Sequence, residues 1–171
     1  LQFKFSVDGL SRLRADIHDT RSRVGNLEPA FLRAALVPLK AAKDRIKSQG
    51  GGTWRPTLEQ EAGAPLHRTA RLINSLTLGG EGNDFIPIPG GYRVGTNLAY
   101  ARMVQEGTGI YGPSGEPITP KTGKYLVFTA NGRTYFMRSV RGAPGRPFLY
   151  VDERVAETVR RVFARYIAGK G

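Results

Sequence analysis

The dipeptide Asn131-Gly132 constrains this chain more than any other feature, because of what flanks it. The stretch from Tyr125 to Tyr150 reads YLVFTANGRTYFMRSVRGAPGRPFLY, with apolar, aromatic-rich runs on both sides of the pair. A two-residue type I′ turn needs φ > 0 at both central residues, and Asn-Gly adopts it most readily. Closing the turn sets Ala130 opposite Arg133, Phe128 opposite Tyr135 and Leu126 opposite Met137. One face then carries Leu126, Phe128, Tyr135 and Met137. The other carries Tyr125, Val127, Thr134, Phe136 and Arg138. The first face is expected to be buried, and the register is then pinned, because a one-residue slip would turn its apolar set outward. A basic link broken by glycine and proline, residues 141–147, leads on to Phe148-Leu149-Tyr150.

The rest of the chain reads as cover for this hairpin or as projections from it. Residues 1–6 (LQFKFS) alternate like a short edge strand. Asp8 can cap a first helix whose apolar face is Leu10, Leu13, Ile17 and Val24, ended by Gly25-Asn26. A second helix starts near Asn26 or Glu28, with Pro29 tolerated in the first turn, and runs to about Ser48. Phe31, Ala35, Leu39, Ala42 and Ile46 form its stripe, Leu32 and Leu36 widen it, and Lys40, Lys43, Asp44, Arg45 and Lys47 take its wet side. Pro38 inside it predicts a kink. Gly50-Gly51-Gly52 ends it. Residues 53–66 read as irregular, with Trp54 anchoring the loop on the core.

A short helix over 66–76 comes next, followed by strand-like segments at 76–78, 85–88 and 92–95. Pro87 and Pro89 confine residues 85–89 to a sheet edge or a loop. Thr96-Asn97 caps a helix ended by Gly107, with Tyr100 as a core anchor. Residues 107–124, with five glycines and three prolines, read as a long projecting loop, mobile in an isolated subunit. Asp152 caps a last helix whose stripe is Val155, Val159, Val162, Phe163, Tyr166 and Ile167. Phe128, Tyr135, Phe148 and Val159 are expected to share one core, with the last helix lying on the hairpin sheet.

The predicted fold class is therefore α+β. A small antiparallel or mixed β-sheet is packed by a long N-terminal helix pair and a C-terminal helix, with a long projecting loop. At 171 residues the chain is read as a single domain, 1–171. N-terminal helices fill 8–48, the central sheet and loops 53–150, and the C-terminal helix 152–168.

The chemistry-bearing inventory is thin. No cysteine is present, so disulfides, thiolate metal sites and cysteine nucleophiles are excluded, and assembly in a reducing cytoplasm fits. His18 and His67 stand in no metal-ligand spacing. No GxSxG, GxxxxGK[ST] or HExxH occurs. A carboxylate pair is conceivable, for instance Glu106 with Glu116 across the loop, but both read more simply as surface residues. No catalytic residue, cofactor or metal is expected. No apolar run reaches the ~20 residues of a membrane span, and no signal-peptide pattern opens the chain.

Charge carries more information. The net charge is +12, which favours anionic partners. Lys121, Arg133, Arg138 and Arg141 crowd the hairpin and its approach. No base-reading motif accompanies them, so contact with nucleic acid would be electrostatic and independent of sequence.

Four segments taken together resemble the tail-completion, or virion-morphogenesis, proteins of tailed bacteriophages and related small head–tail joining proteins. Pro65-Leu66 through Thr69, Leu72 and Ser75-Leu76 is similar to the family's PL…TG.L..SL helix. Residues 94–101 (VGTNLAYA) with Gln105-Glu106-Gly107 resemble VGTN..YA…Q.G. Ile118-Thr119-Pro120-Lys121 through Phe128 resembles I.PK.GK.L.F, and Arg146-Pro147-Phe148-Leu149 the RPFL signature. The resemblance covers roughly residues 50–150. Ala70 stands where the family carries glycine, Gly145 where alanine is common, and the segment 108–117 has no counterpart.

The resemblance implies a non-enzymatic structural protein of the phage neck or tail end, a tail-completion or tail-terminator protein. It would form an oligomeric ring that joins the tail tube to the head-side connector. Its implied partners are its own copies, the tail tube, head-completion or connector proteins, and genomic DNA passing non-specifically through the lumen. Its implied place is the head–tail junction of the virion, after assembly in the host cytoplasm. Lys121, Arg133, Arg138 and Arg141 become candidate lumen or partner-interface charges. Ile110, Tyr111, Pro113 and Pro117 become a candidate inter-subunit loop, and Trp54, Tyr100, Phe128 and Phe148 the core anchors. The rival reading is a basic, sequence-independent nucleic-acid-binding module.

Overall fold

The computed structural model describes residues 10–54, 70–130 and 132–170. The expected edge strand at 1–6, the Asp8 cap, most of the irregular stretch after Trp54, the start of the 66–76 helix with His67, and Asn131 lie outside the described residues. Among the described residues the architecture is α+β, with five α-helices and two separate two-stranded antiparallel sheets. The helices are α1 (Leu10–Gly25), α2 (Glu28–Lys47), α3 (Arg71–Ser75), α4 (Ala101–Glu106) and α5 (Glu153–Ile167). The strands are β1 (Asn83–Ile88), β2 (Gly91–Thr96), β3 (Leu126–Ala130) and β4 (Arg133–Met137). Among the described residues no helix is long and apolar enough to cross a membrane.

The core is built on α2. Its 20 residues span about 30 Å, with Pro29 in the first turn, where its missing N–H is harmless. Ala30, Ala34, Leu39, Ala42 and Ile46 are buried along one side. Leu39, Ala42 and Ile46 join Leu72 and Leu76 from the α3 region, Ala101 of α4, and Phe148 in one cluster. Trp54 is half-buried against it. Its indole covers Gly50 so closely that a Cβ there would stand 2.5 Å from Trp54 Nε1. Past Lys47 the chain turns through left-handed backbone from Gln49 to Gly52, which ends the helix.

The β1–β2 hairpin lies on α2. Its register sets Phe85 against Val94 and Pro87 against Tyr92, so Pro87 falls on a sheet with no interior strand, as its missing N–H requires, and Pro89 falls in the turn between the strands. The segment 76–78 forms a turn and no strand. Thr96 Oγ1 accepts the N–H of Leu98, but α4 itself begins only at Ala101.

The last helix starts as its sequence predicts. Asp152 Oδ1 accepts the N–H of Val155 at 2.8 Å. Its stripe, however, does not cover the hairpin of β3 and β4. It packs on α2 and on the C-terminal end of α1. Phe163 meets Phe31 edge-on at 5.1 Å, Tyr166 Oη donates to the carbonyl of Asn26, and Arg23 Nε donates to that of Ile167.

This corrects the expected shared core. Phe148 is 2% exposed, whereas Tyr135 is 38% exposed, and Phe128 stacks on Tyr135 at 5.5 Å, away from the body. The β3–β4 hairpin makes at most marginal contact with the other described helices and strands. Tyr100 is also exposed, because Ala101 at the start of α4 takes the inward position.

Candidate functional site, a basic hairpin arm

The hairpin is the tip of an arm formed by residues 107–145, and its base is fixed by α4. Gln105 Oε1 accepts the N–H groups of Phe148 and Leu149 at 3.0 and 3.1 Å, and its amide nitrogen donates to the carbonyl of Leu149 at 3.1 Å. Arg146 donates its backbone N–H to the carbonyl of Val104 at 2.7 Å. Its side chain is buried, and desolvation lowers its pKa from the ordinary arginine value.

The two limbs cross at the base with no room for side chains. Gly107 has φ +90, and a Cβ on it would stand 2.7 Å from the nitrogen of Gly145. Gly142 has φ +88, and its Cβ would stand 2.1 Å from the carbonyl oxygen of Thr108. Both positions combine left-handed backbone with a close approach that only glycine permits.

From this base the limbs pair along their length. Thr108 and Ile110 donate to the carbonyls of Ala143 and Arg141, and Ile118 and Val140 exchange both hydrogen bonds. The tip follows in the expected register, Leu126 with Met137, Phe128 with Tyr135 and Ala130 with Arg133. The extra residues fall mainly on the first limb. Residues 111–117 bulge out between the Ile110 and Ile118 pairings, and 119–125 between Ile118 and Leu126. The expected free loop over 107–124 is thereby corrected: its stem is zipped onto 140–144, and only these two bulges project. Ile110 lies in a 3-10 turn, Gly109–Tyr111, and is half-buried. Tyr111, Pro113 and Pro117 are exposed.

Two surface properties distinguish the arm. It is apolar on both sides at its tip: Val127 is 59% and Phe136 64% exposed on one face, while Tyr135 and Met137 are exposed on the other. It is also basic, since residues 107–145 hold five cations and a single carboxylate, Glu116. The structure brings Lys121, Arg133, Arg138 and Arg141 together on it, all exposed. None has an ion-pair partner among the described residues. Arg141 lies 6.0 Å above the ring of Tyr111. On the body, by contrast, Arg71, Arg93, Arg102, Arg160 and Arg161 each hold a carboxylate within 3.3 Å.

One functional residue escapes sequence patterning. Arg45, expected on the wet side of α2, has a side chain only 13% exposed. It donates to the carbonyls of Phe148 and Tyr150, pairs with Asp152 at 2.6 Å and lies 3.6 Å over the Tyr150 ring. It thus ties the arm's return strand and the start of α5 to α2. No local signal marks it, because its partners lie over a hundred residues away.

No cluster of three or more His, Cys, Asp or Glu placed to hold a metal occurs among the described residues. Glu106 pairs with Arg102 at 2.9 Å, and Glu116 is exposed on the first bulge. His18 is exposed on α1. A groove of about 490 Å³ between α2 and α5 is lined in part by Lys40, Asp44, Arg45 and Asp152, the last two of which pair with each other.

No family model, curated protein or solved structure matches this chain.

Proposed function

We propose that this chain is a non-enzymatic structural subunit of a tailed-phage neck or tail end. In this reading it assembles with its own copies into a ring between tail tube and head-side connector. The observation that carries the self-assembly is the arm. An isolated two-stranded hairpin is at best marginally stable in water, yet this one carries Phe136 and Val127 to solvent on one face and Tyr135 and Met137 on the other. Such a surface fits a neighbouring subunit better than it fits water. The link to phage tails comes from the VGTN, Q.G and RPFL segments, and the hydrogen bonds of Gln105 to Phe148 and Leu149 give two of those segments a common task. No catalytic step is assigned.

Substitution at the tip tests the reading. Val127→Ser with Phe136→Ser removes exposed apolar surface and touches no core residue. The variant is expected to keep the circular dichroism of the parent and to lose self-association in light scattering. Unchanged association would remove the arm from the interface.

A second reading, a sequence-independent nucleic-acid-binding module, is favoured by the arm cations, which hold no carboxylate among the described residues. It predicts that a monomer binds unrelated DNA duplexes alike, with an affinity that falls steeply with salt. Changing Lys121, Arg133, Arg138 and Arg141 to Gln would flatten that salt dependence. If they instead face a neighbouring subunit, the same changes weaken assembly.

A further inference from the structure

We infer that α1 pairs with the α1 of a second copy, side by side, parallel and in register. The helix has no buried residue. Among the described residues only its C-terminal end is held by the body, through Arg23, which donates to the Ile167 carbonyl and, within the helix, to Thr20 Oγ1. Leu10, Leu13, Ile17 and Val24 are 43, 54, 59 and 51% exposed. With Thr20 they follow the alternating three- and four-residue spacing of a coiled-coil seam: Leu10, Ile17 and Val24 at a, Leu13 and Thr20 at d. Branched Ile and Val at a with Leu at d is the combination that favours a parallel two-stranded pair.

The flanking charges select the same occupant and orientation. Asp16 falls at g and Arg21 at the e position of the next heptad, the two places that meet across a parallel, in-register pair. Two copies therefore make the contact twice, Asp16 of each against Arg21 of the other. In an antiparallel pair e faces e, which would set Arg14 against Arg21. Neither Asp16 nor Arg21 has an ion-pair partner within the described residues of its own chain. The seam covers about two heptads, too short to hold two free chains alone, so it acts where another contact, such as the arm, already brings copies together. The inference thus rests on self-association and not on the tail assignment.

The chain has no cysteine, so a single introduced thiol reports on α1 cleanly. Ile17→Cys, at a, is compared in the full-length protein under mild oxidation with Ala15→Cys, on the far side of the helix. Facing a positions fall within the 4.4–6.8 Å Cα separation that a disulfide requires. Ile17→Cys is expected to run largely as a covalent dimer and Ala15→Cys as a monomer. Adding Asp16→Arg to Ile17→Cys should abolish the dimer, and adding Arg21→Asp as well should restore it. All these side chains are exposed, so the fold, checked by thermal melting, should hold throughout. Equal cross-linking of Ala15→Cys, cross-linking only between Leu13→Cys and Ile17→Cys, no cross-linking, or no restoration by the double charge exchange would each overturn the pairing. Cross-linking through Ile17→Cys in a protein that forms no ring would keep the pairing and reject the ring.

Discussion

Gln105 on α4 accepts the backbone N–H of Phe148 at 3.0 Å, joining the residue that ends one limb's approach to the residue that seats the other limb in the core. The same side chain also bonds both backbone groups of Leu149. Gln105→Ala should therefore leave half-buried N–H groups without a partner and cost about 1–3 kcal/mol. Urea unfolding measures it, and a midpoint equal to that of the parent would show that water replaces the amide without loss.

Phe148 is the largest fully buried side chain of the cluster that holds α2, α3 and α4 together. Phe148→Ala should cost about 3–5 kcal/mol. Phe136→Ala, at the exposed tip, should leave monomer stability within about 0.5 kcal/mol. Similar losses at both positions would mean that the hairpin belongs to the subunit core.

The contrast between those phenylalanines marks where sequence reasoning works here. The register of β3 with β4 and the Asp152 cap are decided by residues close in sequence, and both were legible. What covers an apolar face is decided by distant elements. Alternation identified Leu126, Phe128, Tyr135 and Met137 as one face but could not say that no helix among the described residues packs on it. The stripe on α1 misled in the same way. The last helix carried a stripe equally suited to a sheet or to α2, and Phe31 of α2 is what it met. The clustering of Lys121, Arg133, Arg138 and Arg141 was visible in the sequence because they share one excursion of the chain. The internal role of Arg45 was not, because its partners are remote.

Ala70 sits in left-handed backbone, φ +50, immediately before α3. An L-residue there is strained by roughly 1–2 kcal/mol, while glycine carries a larger unfolded-state entropy of roughly 0.5–1 kcal/mol. Ala70→Gly should therefore raise stability by up to about 1 kcal/mol. A lower melting temperature would contradict the strain assigned to this position.

Asp152 links pH to the join between α2 and α5. The N–H of Val155 and then the Arg45 guanidinium hold its carboxyl below the ordinary value of 3.8. A depressed folded-state pKa means that the contribution is fully present above the unfolded value and is lost as pH falls through the folded one. Asp152→Asn keeps a capping oxygen and removes the charge. Its deficit against the parent should be constant near neutrality and shrink below about pH 4. A deficit that persists at pH 2 would assign the effect to packing.

The central claim is that the exposed arm of this subunit is an assembly surface. Sedimentation velocity on the full-length, nuclease-treated protein over a range of concentrations tests it most directly. The account predicts a closed oligomer that forms without nucleic acid and disappears when Val127 and Phe136 are changed to Ser. A protein that stays monomeric at every concentration, and grows only when DNA is added, would contradict it and favour the nucleic-acid-binding reading.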